Sequence, residues 1–216
     1  MKLHVSGAIA GASLALLFGL GNGARADAIP YPNSGTPNTA SYTFTAAVTG
    51  EIIAYFAGST ASFDNQLGLL VNGVDTGVVG LDNHTSMIGQ SLDLGHVNAG
   101  DALTFVLHNL TQGKLAFSDP TLNVSYDIDG SVGHQHVYST SYTATSPILG
   151  SIPGGTFVSW EDLPFPASDF NYNDLNFVFT NVSVSVPGPI AGAGLPGLVL
   201  AGGGILGWWR RRRRIA

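Results

Sequence analysis

The chain has 216 residues and no cysteine, which excludes disulfide bonds, thiol catalysis and zinc sites built on cysteine. Basic residues lie almost entirely near the termini: between Ala28 and Pro187 the only one is Lys114, against 13 acids, a net charge of −12. Because proteins neutralise phosphates with Lys and Arg, this balance excludes nucleic acid as a partner and makes a cation the natural counter-ion.

Residues 1–28 are predicted to be a secretory signal peptide. Lys2 supplies a positively charged start, and the apolar stretch Ala8–Leu20 that follows is too short to cross a membrane comfortably. Small residues with the spacing of signal-peptidase sites then occur between Ala24 and Ala28. The alternative is an N-terminal membrane anchor, which the cleavage sites make the weaker hypothesis. We therefore expect the protein to be exported.

A run rich in Pro, Asn, Ser and Gly, IPYPNSGTPN, follows and predicts a linker over residues 29–39. Segments rich in β-branched and aromatic residues then alternate with short polar turns, which is the pattern of β-strands. Two of the turns, Thr49-Gly50 and Asn72-Gly73, predict hairpins, and at the second both residues tolerate a positive φ angle. In ALTFVLHN, residues 102–109, apolar side chains recur at alternate positions, as in a half-buried strand.

Residues 40–186 are predicted to form one all-β domain, because strands recur without a helical period. The expected architecture is a single two-sheet β-sandwich or a jelly-roll-like variant of it. The alternation changes parity close to Thr180: Leu175, Phe177 and Phe179 share one face, whereas the valines after Thr180 take the opposite register. A β-bulge or a sheet corner at this point would reconcile the two registers.

The stretch Trp160–Phe179, WEDLPFPASDFNYNDLNFVF, carries the densest group of oxygen-bearing side chains. Because several of them alternate at i, i+2 and i+4, a loop can turn their oxygens toward one point. Ca²⁺ takes roughly six to eight oxygen ligands at about 2.3–2.6 Å, and Asn supplies a neutral one. The alternative is a solvated turn before a strand, since Asn and Asp bond to their own backbone. The predicted Ca²⁺ ligands are Glu161, Asp162, Asp169, Asn171, Asn173 and Asp174.

The segment WEDL, followed after a short loop by SDFNYNDLNFVF, resembles the acidic signature of bacterial extracellular domains of the DUF4114 type. The resemblance covers the last third of the predicted domain. It implies a β-sandwich with a calcium-binding loop and so strengthens the argument from spacing. It does not imply an activity.

Residues 187–216 are predicted to be a tail of different character. A VPGP motif leads into Ile190–Trp209, a stretch of 20 uncharged residues that matches the length of a membrane-spanning helix. The cluster Arg210–Arg214 follows and places that end in the cytoplasm. The tail is therefore predicted to carry one C-terminal transmembrane helix, residues 190–209.

The tail resembles the PEP-CTERM family of C-terminal sorting signals, which combine a short Pro motif, one membrane span and an Arg cluster. VPGP stands here where that family has Pro-Glu-Pro, so the Glu is missing. The resemblance implies recognition by an exosortase-type sorting enzyme and delivery to the cell surface or to an exopolysaccharide matrix. The alternative is a plain C-terminal anchor in the cytoplasmic membrane.

Two histidines, His134 and His136, have the i, i+2 spacing that a zinc site can use on a strand, but no third soft ligand is evident. A loop pair without a metal is the favoured interpretation. Asp127 and Asp129 lie just before them and could add oxygens to the calcium site. The motifs of serine hydrolases, zinc proteases and phosphate-binding loops are absent from the sequence, so we expect no enzymatic activity.

Two functions are compatible with these features, and a hydrolase is a third and weaker idea. The first is an exported structural or interaction protein of the cell surface or exopolysaccharide matrix, with a Ca²⁺-stabilised β-sandwich, held in the cytoplasmic membrane before sorting. The alternative is a carbohydrate-binding module of the cell envelope, in which tyrosines would provide stacking faces. Exposed aromatic rings around a groove would favour the second function, and a surface without them the first.

Overall fold

The structure is a computed structural model that describes residues 29–128, 133–147 and 149–186. The predicted signal peptide, residues 1–28, and the predicted tail, residues 187–216, lie outside these ranges, and so does the predicted span 190–209. Within the described ranges, none of the helices has the length and apolar character that crossing a membrane requires.

The described residues form strands and one short 3₁₀ helix, Pro120–Ser125. The strands, in chain order, are β1 (Thr43–Ala46), β2 (Gly50–Ser59), β3 (Asn65–Val71), β4 (Val74–Gly80), β5 (Ser91–Val97), β6 (Ala102–Asn109), β7 (Lys114–Phe117), β8 (Val137–Tyr142), β9 (Gly155–Trp160), β10 (Leu175–Thr180) and β11 (Val182–Ser185).

The strands make two antiparallel sheets. The first has the order β11-β1-β6-β3-β4, and β7 pairs with β6 as well. Strands β1 and β7 share one edge of β6, because β1 pairs with residues 102–103 and β7 with residues 106–109. The second sheet has the order β5-β2-β10-β9-β8.

Alternating apolar residues of the two sheets meet in one core. In β6, Leu103, Phe105 and Leu107 are buried, as the period-two pattern predicts. The ring of Phe105 stacks on Phe179 of the other sheet, with 4.0 Å between centroids. Two sheets packed face to face over a shared core confirm the expected all-β, sandwich-like architecture.

A sheet corner at Asn181 explains the change of parity in the sequence. Thr180 ends β10 in the second sheet, and Val182 begins β11 in the first. Between them Asn181 has φ +63°, a left-handed conformation that Asn tolerates better than most residues. Its side chain accepts from the Val48 N–H at 2.8 Å and donates to the Val48 carbonyl at 3.0 Å, which holds the corner in place.

The segment 29–39, for which composition predicts a linker, lies against the sandwich. Tyr31 is buried, and its ring centroid is 4.7 Å from that of Tyr172 and 5.2 Å from that of Tyr138. The backbone N–H of Asn38 donates to the Tyr172 hydroxyl at 2.8 Å. Burial of one aromatic ring and these hydrogen bonds hold a segment whose composition does not specify regular structure.

Strands β9 and β10 carry the acidic stretch to one end of the second sheet. The two strands pair antiparallel, and Trp160 at the end of β9 lies opposite Leu175 at the start of β10. The backbone N–H of Asp174 also donates to the Trp160 carbonyl at 3.0 Å. The acids that directly follow β9 and directly precede β10 are therefore brought side by side.

Candidate metal centre

The loop before β10 alternates its side chains through two successive Asx turns. The Asp169 carboxylate accepts from the Asn171 N–H at 3.1 Å, and the Asn171 side-chain oxygen accepts from the Asn173 N–H at 3.0 Å. Phe170 and Tyr172, between them, have φ of +54° and +51°. The Tyr172 ring is fully buried. The i, i+2, i+4 spacing thus corresponds to a real alternation between polar and aromatic side chains.

A pocket of about 230 Å³ lies beside this loop. Four of the six predicted Ca²⁺ ligands line it, together with residues from the loop between β2 and β3. The lining residues are Thr60, Ser62, Phe63, Asp162, Leu163, Asp169, Asn171 and Asp174.

The other two predicted ligands, Glu161 and Asn173, do not line the pocket. Glu161 is buried, with Oε1 accepting from the Leu163 N–H at 3.4 Å, and its Oε2 has no hydrogen-bond partner among the residues that the structure describes. The Asn173 side-chain oxygen accepts from the Thr60 hydroxyl at 2.6 Å. Asn173 therefore ties its loop to the loop after β2 instead of facing the pocket.

Asp162 and Asp174 form the centre of the acidic group. Asp162 is 3% exposed, and its Oδ2 accepts from the side-chain amide of Asn65, on β3 of the opposite sheet, at 2.7 Å. The Asp174 Oδ2 accepts from the Asp162 N–H at 2.8 Å. These bonds fix both carboxyl groups at the end of the sandwich where the two sheets meet.

Burial and mutual repulsion raise the pKa values of these acids. Burial, then the charge of Asp169, raises the pKa of Glu161 to about 7. Burial, then the charges of Asp162 and Glu161, raises the pKa of Asp174 to about 9. Burial also raises the pKa of Asp162, although hydrogen bonds from Asn65 and Asp174 oppose the shift. All three acids therefore resist ionisation while the site holds no compensating charge.

The side chains of this region offer oxygen atoms, the ligand type that hard cations prefer. Their carboxylates do not point to one common centre in the structure. No group of three or more His, Asp or Glu side chains in the described part of the chain is arranged to hold a metal ion. That criterion leaves out amide and main-chain oxygens, which Ca²⁺ also binds. Buried side-chain oxygens without a hydrogen-bond partner occur here on Glu161, Asn65 and Asn176, and each such orphan costs about 1–3 kcal/mol.

The two histidines each contact a different neighbour in the sandwich. His134 and His136 lie in the loop before β8, and the His134 ring stacks on Phe165 with 3.9 Å between centroids. His136 is buried, and its Nε2 lies 2.9 Å from the Asp127 Oδ1. Asp127 therefore faces His136 and adds no oxygen to the pocket. Asp129 lies outside the described residues.

Sequence reasoning missed the residues that hold the acids from other strands. Asn65 on β3 binds the Asp162 side chain, and Asn109 on β6 donates to the Asp162 carbonyl at 3.2 Å. The Tyr126 hydroxyl donates to the same carbonyl, and burial raises the pKa of Tyr126. These contacts join residues far apart in the chain, so no local spacing could have indicated them.

Comparisons of the chain with protein-family models, with curated proteins and with solved structures give no match. The fold and the site therefore define a class by structure alone: an acidic β-sandwich domain with an oxygen-lined pocket at the end of β9 and β10. The resemblances to the DUF4114 and PEP-CTERM families stay predictions.

Proposed function

We propose that the protein is an exported, non-enzymatic structural or interaction protein of the cell surface or exopolysaccharide matrix, whose β-sandwich binds Ca²⁺ at the acidic pocket. The observation that carries the proposal is the meeting of Glu161, Asp162 and Asp174 at the paired ends of β9 and β10. All three have raised pKa values because burial and repulsion disfavour their charged forms.

A bound cation would compensate the charge of this group. Buried carboxylates are unfavourable unless a charge or sufficient hydrogen bonds compensate them. Between residues 29 and 186 the sequence holds one Lys or Arg, Lys114, and its ammonium donates to the Tyr126 carbonyl at 3.1 Å. The donors around the pocket are oxygens, which suit Ca²⁺ better than a transition metal.

Four residues would hold the ion: Asp162, Asp169, Asn171 and Asp174 line the pocket. Asp169 is exposed and, among the described residues, its carboxylate bonds to Asn171 of its own turn, so it can rotate toward the ion at little cost. Bound Ca²⁺ would neutralise the acids and connect the loop to the strand ends. Its contribution is to stability and rigidity, and no reaction is involved.

Export and sorting complete the proposal and rest on the sequence of the termini. Residues 1–28 direct secretion, and residues 187–216 hold the protein in the cytoplasmic membrane until an exosortase-type enzyme processes it. The β-sandwich then resides at the cell surface or in the matrix. An extracellular position supplies Ca²⁺ at the millimolar concentrations that weak sites of this type require.

Carbohydrate binding remains the alternative, but it would require aromatic rings exposed on the described surface. Four of the tyrosines that could have stacked on sugars are buried in the sandwich or against it: Tyr31, Tyr126, Tyr142 and Tyr172. We therefore prefer the structural function.

Thermal unfolding of the full chain in EDTA, Ca²⁺ and Mg²⁺ at one ionic strength tests the cation site. Ca²⁺ at a hundredfold excess over Kd stabilises the folded state by about 2.7 kcal/mol, which raises Tm by on the order of 5 °C. Mg²⁺ requires a tight octahedron at about 2.0–2.1 Å and should raise Tm less. If both ions raise Tm equally, or if Ca²⁺ does not raise it, the loop is a solvated turn and binds no specific cation.

A further inference from the structure

Three buried side chains outside the pocket hold the main chain of Glu161 and Asp162. The Tyr126 hydroxyl and the Asn109 amide both donate to the Asp162 carbonyl. The Nδ1 of His136 lies 3.0 Å from the Glu161 carbonyl oxygen, which can only accept, so His136 donates. None of these residues contributes to the pocket lining.

Asp127 connects this support to the start of the loop. Its Oδ1 bonds the His136 Nε2 at 2.9 Å and accepts from the Phe165 N–H at 2.9 Å. Its Oδ2 accepts from the His134 N–H at 2.8 Å. Burial opposes its charge, but hydrogen bonds from His136 and these two amides outweigh burial and hold the pKa of Asp127 below its usual value.

The main chain held by these hydrogen bonds is Glu161–Asp162, which directly follows the last residue of β9. Successive side chains of an extended chain point to opposite sides, so the placement of Glu161 relative to Asp162 is set by the main chain between them. A cation site requires its oxygens to lie within about 0.5 Å of their working positions. Hydrogen bonds from buried donors to the Glu161 and Asp162 carbonyls restrict the main chain to that precision. A strand end without such bonds would move more.

We propose that Tyr126, Asp127 and His136 are positioning residues of the cation site. They hold the carbonyls of Glu161 and Asp162 and the Phe165 amide, and they thereby orient the carboxylates for a divalent cation. The inference rests on the proposed function, since it requires the pocket to bind a cation. A role confined to folding is the competing account. That role would lower stability equally with and without the ion.

Two conservative variants and a matched control separate these accounts. Tyr126→Phe removes only the hydroxyl that donates to the Asp162 carbonyl. Asp127→Asn keeps the size and shape of the side chain that bonds to His136, His134 and Phe165. Thr156→Val is the control, because the Thr156 hydroxyl likewise donates to a main-chain carbonyl, that of Val182 at 2.8 Å, at the opposite end of β9.

The Kd of the full chain for Ca²⁺ is measured by displacement of Tb³⁺ luminescence, alongside Tm in EDTA and in Ca²⁺. Removing groups that orient metal ligands weakens metal binding by about 10–100-fold. We expect Tyr126→Phe to raise Kd by about 10-fold, the lower end of this range, and Asp127→Asn to raise it more than Tyr126→Phe does. Thr156→Val should leave Kd unchanged. The Ca²⁺-induced rise in Tm should shrink in the first two variants only.

The outcomes also separate this inference from the proposed function. A wild-type chain that binds neither Tb³⁺ nor Ca²⁺ overturns both. Wild-type binding with an unchanged Kd in Tyr126→Phe and Asp127→Asn overturns the positioning role alone, even where both variants unfold at a lower temperature in EDTA and in Ca²⁺ alike.

Discussion

The backbone N–H of Asp162 donates a 2.8 Å hydrogen bond to the carboxylate of Asp174, so one acid holds the other beside it. The bond lies just beyond the last residue pair of β9 and β10, Trp160 and Leu175. A simple turn between the two strands does not require a buried acid, Asp162, beside a half-buried one, Asp174. Their proximity determines how the acidic group responds to the loss of one acid and to pH.

Replacing Asp174 with Asn should change the stability of the metal-free protein and the stabilisation by Ca²⁺ in different directions. At pH 8 folding must place a proton on Asp174, because its pKa is about 9 in the folded state and about 4 in the unfolded state. Asn requires no such proton, so Tm in EDTA at pH 8 should stay level or rise. The Ca²⁺-induced increase in Tm should fall by more than half. Asp93→Asn is the control, because Asp93 is an exposed acid on β5 and its loss should leave the Ca²⁺ effect unchanged. A full Ca²⁺ shift in Asp174→Asn would contradict the assignment.

Stability of the metal-free protein should fall as pH rises. In the folded state the pKa of Glu161 is about 7 and that of Asp174 about 9, whereas unfolded carboxyls titrate near 4. The folded state therefore retains protons that the unfolded state has lost, so this contribution is complete below about pH 4 and is lost as pH rises toward about 9.

Tm measured in EDTA at pH 6 and at pH 9 tests this dependence. We expect the lower Tm at pH 9, and we expect saturating Ca²⁺ to remove most of the difference, because the ion favours the charged acids. In Glu161→Gln combined with Asp174→Asn the slope in EDTA should flatten. A wild-type Tm that rises over this interval would contradict the raised pKa values.

The corner at Asn181 predicts that Gly is tolerated better than Ala. Both substitutions remove the hydrogen bonds to Val48, but only Ala places a Cβ at φ +63°. The left-handed conformation costs about 1 kcal/mol more for Ala than for Gly. Urea unfolding of the two variants measures this difference directly. Equal stabilities would mean that the corner relaxes.

The tail prediction is tested by the mass of the mature protein. If an exosortase-type enzyme processes residues 187–216, the surface form should lack Trp208–Ala216. Replacing Arg210–Arg214 with Gln should impair retention or processing, because the orientation signal is lost. A surface form that keeps the arginine cluster would leave the plain membrane anchor.

Local patterns in the sequence were sufficient for the sandwich and for part of the site. Period-two alternation in β6 predicted a strand, and the change of parity close to Thr180 predicted a β-bulge or a sheet corner, because side-chain direction follows the backbone. The structure has a corner, at Asn181. The spacing of Asp169 and Asn171 predicted a shared direction for the same reason. Contacts such as Asn65 with Asp162 depend on sheet order, which no local pattern encodes.

The position of β11 has a mechanical consequence. Thr43, the first residue of β1, pairs with Ser185, the last residue of β11, so the chain enters and leaves this pair at the same end. A pulling force applied at Val186 therefore meets the β1–β11 hydrogen bonds one after another, as in a zipper, and never loads them all together. The strand next to the proposed anchor is the first part of the sandwich to detach under tension.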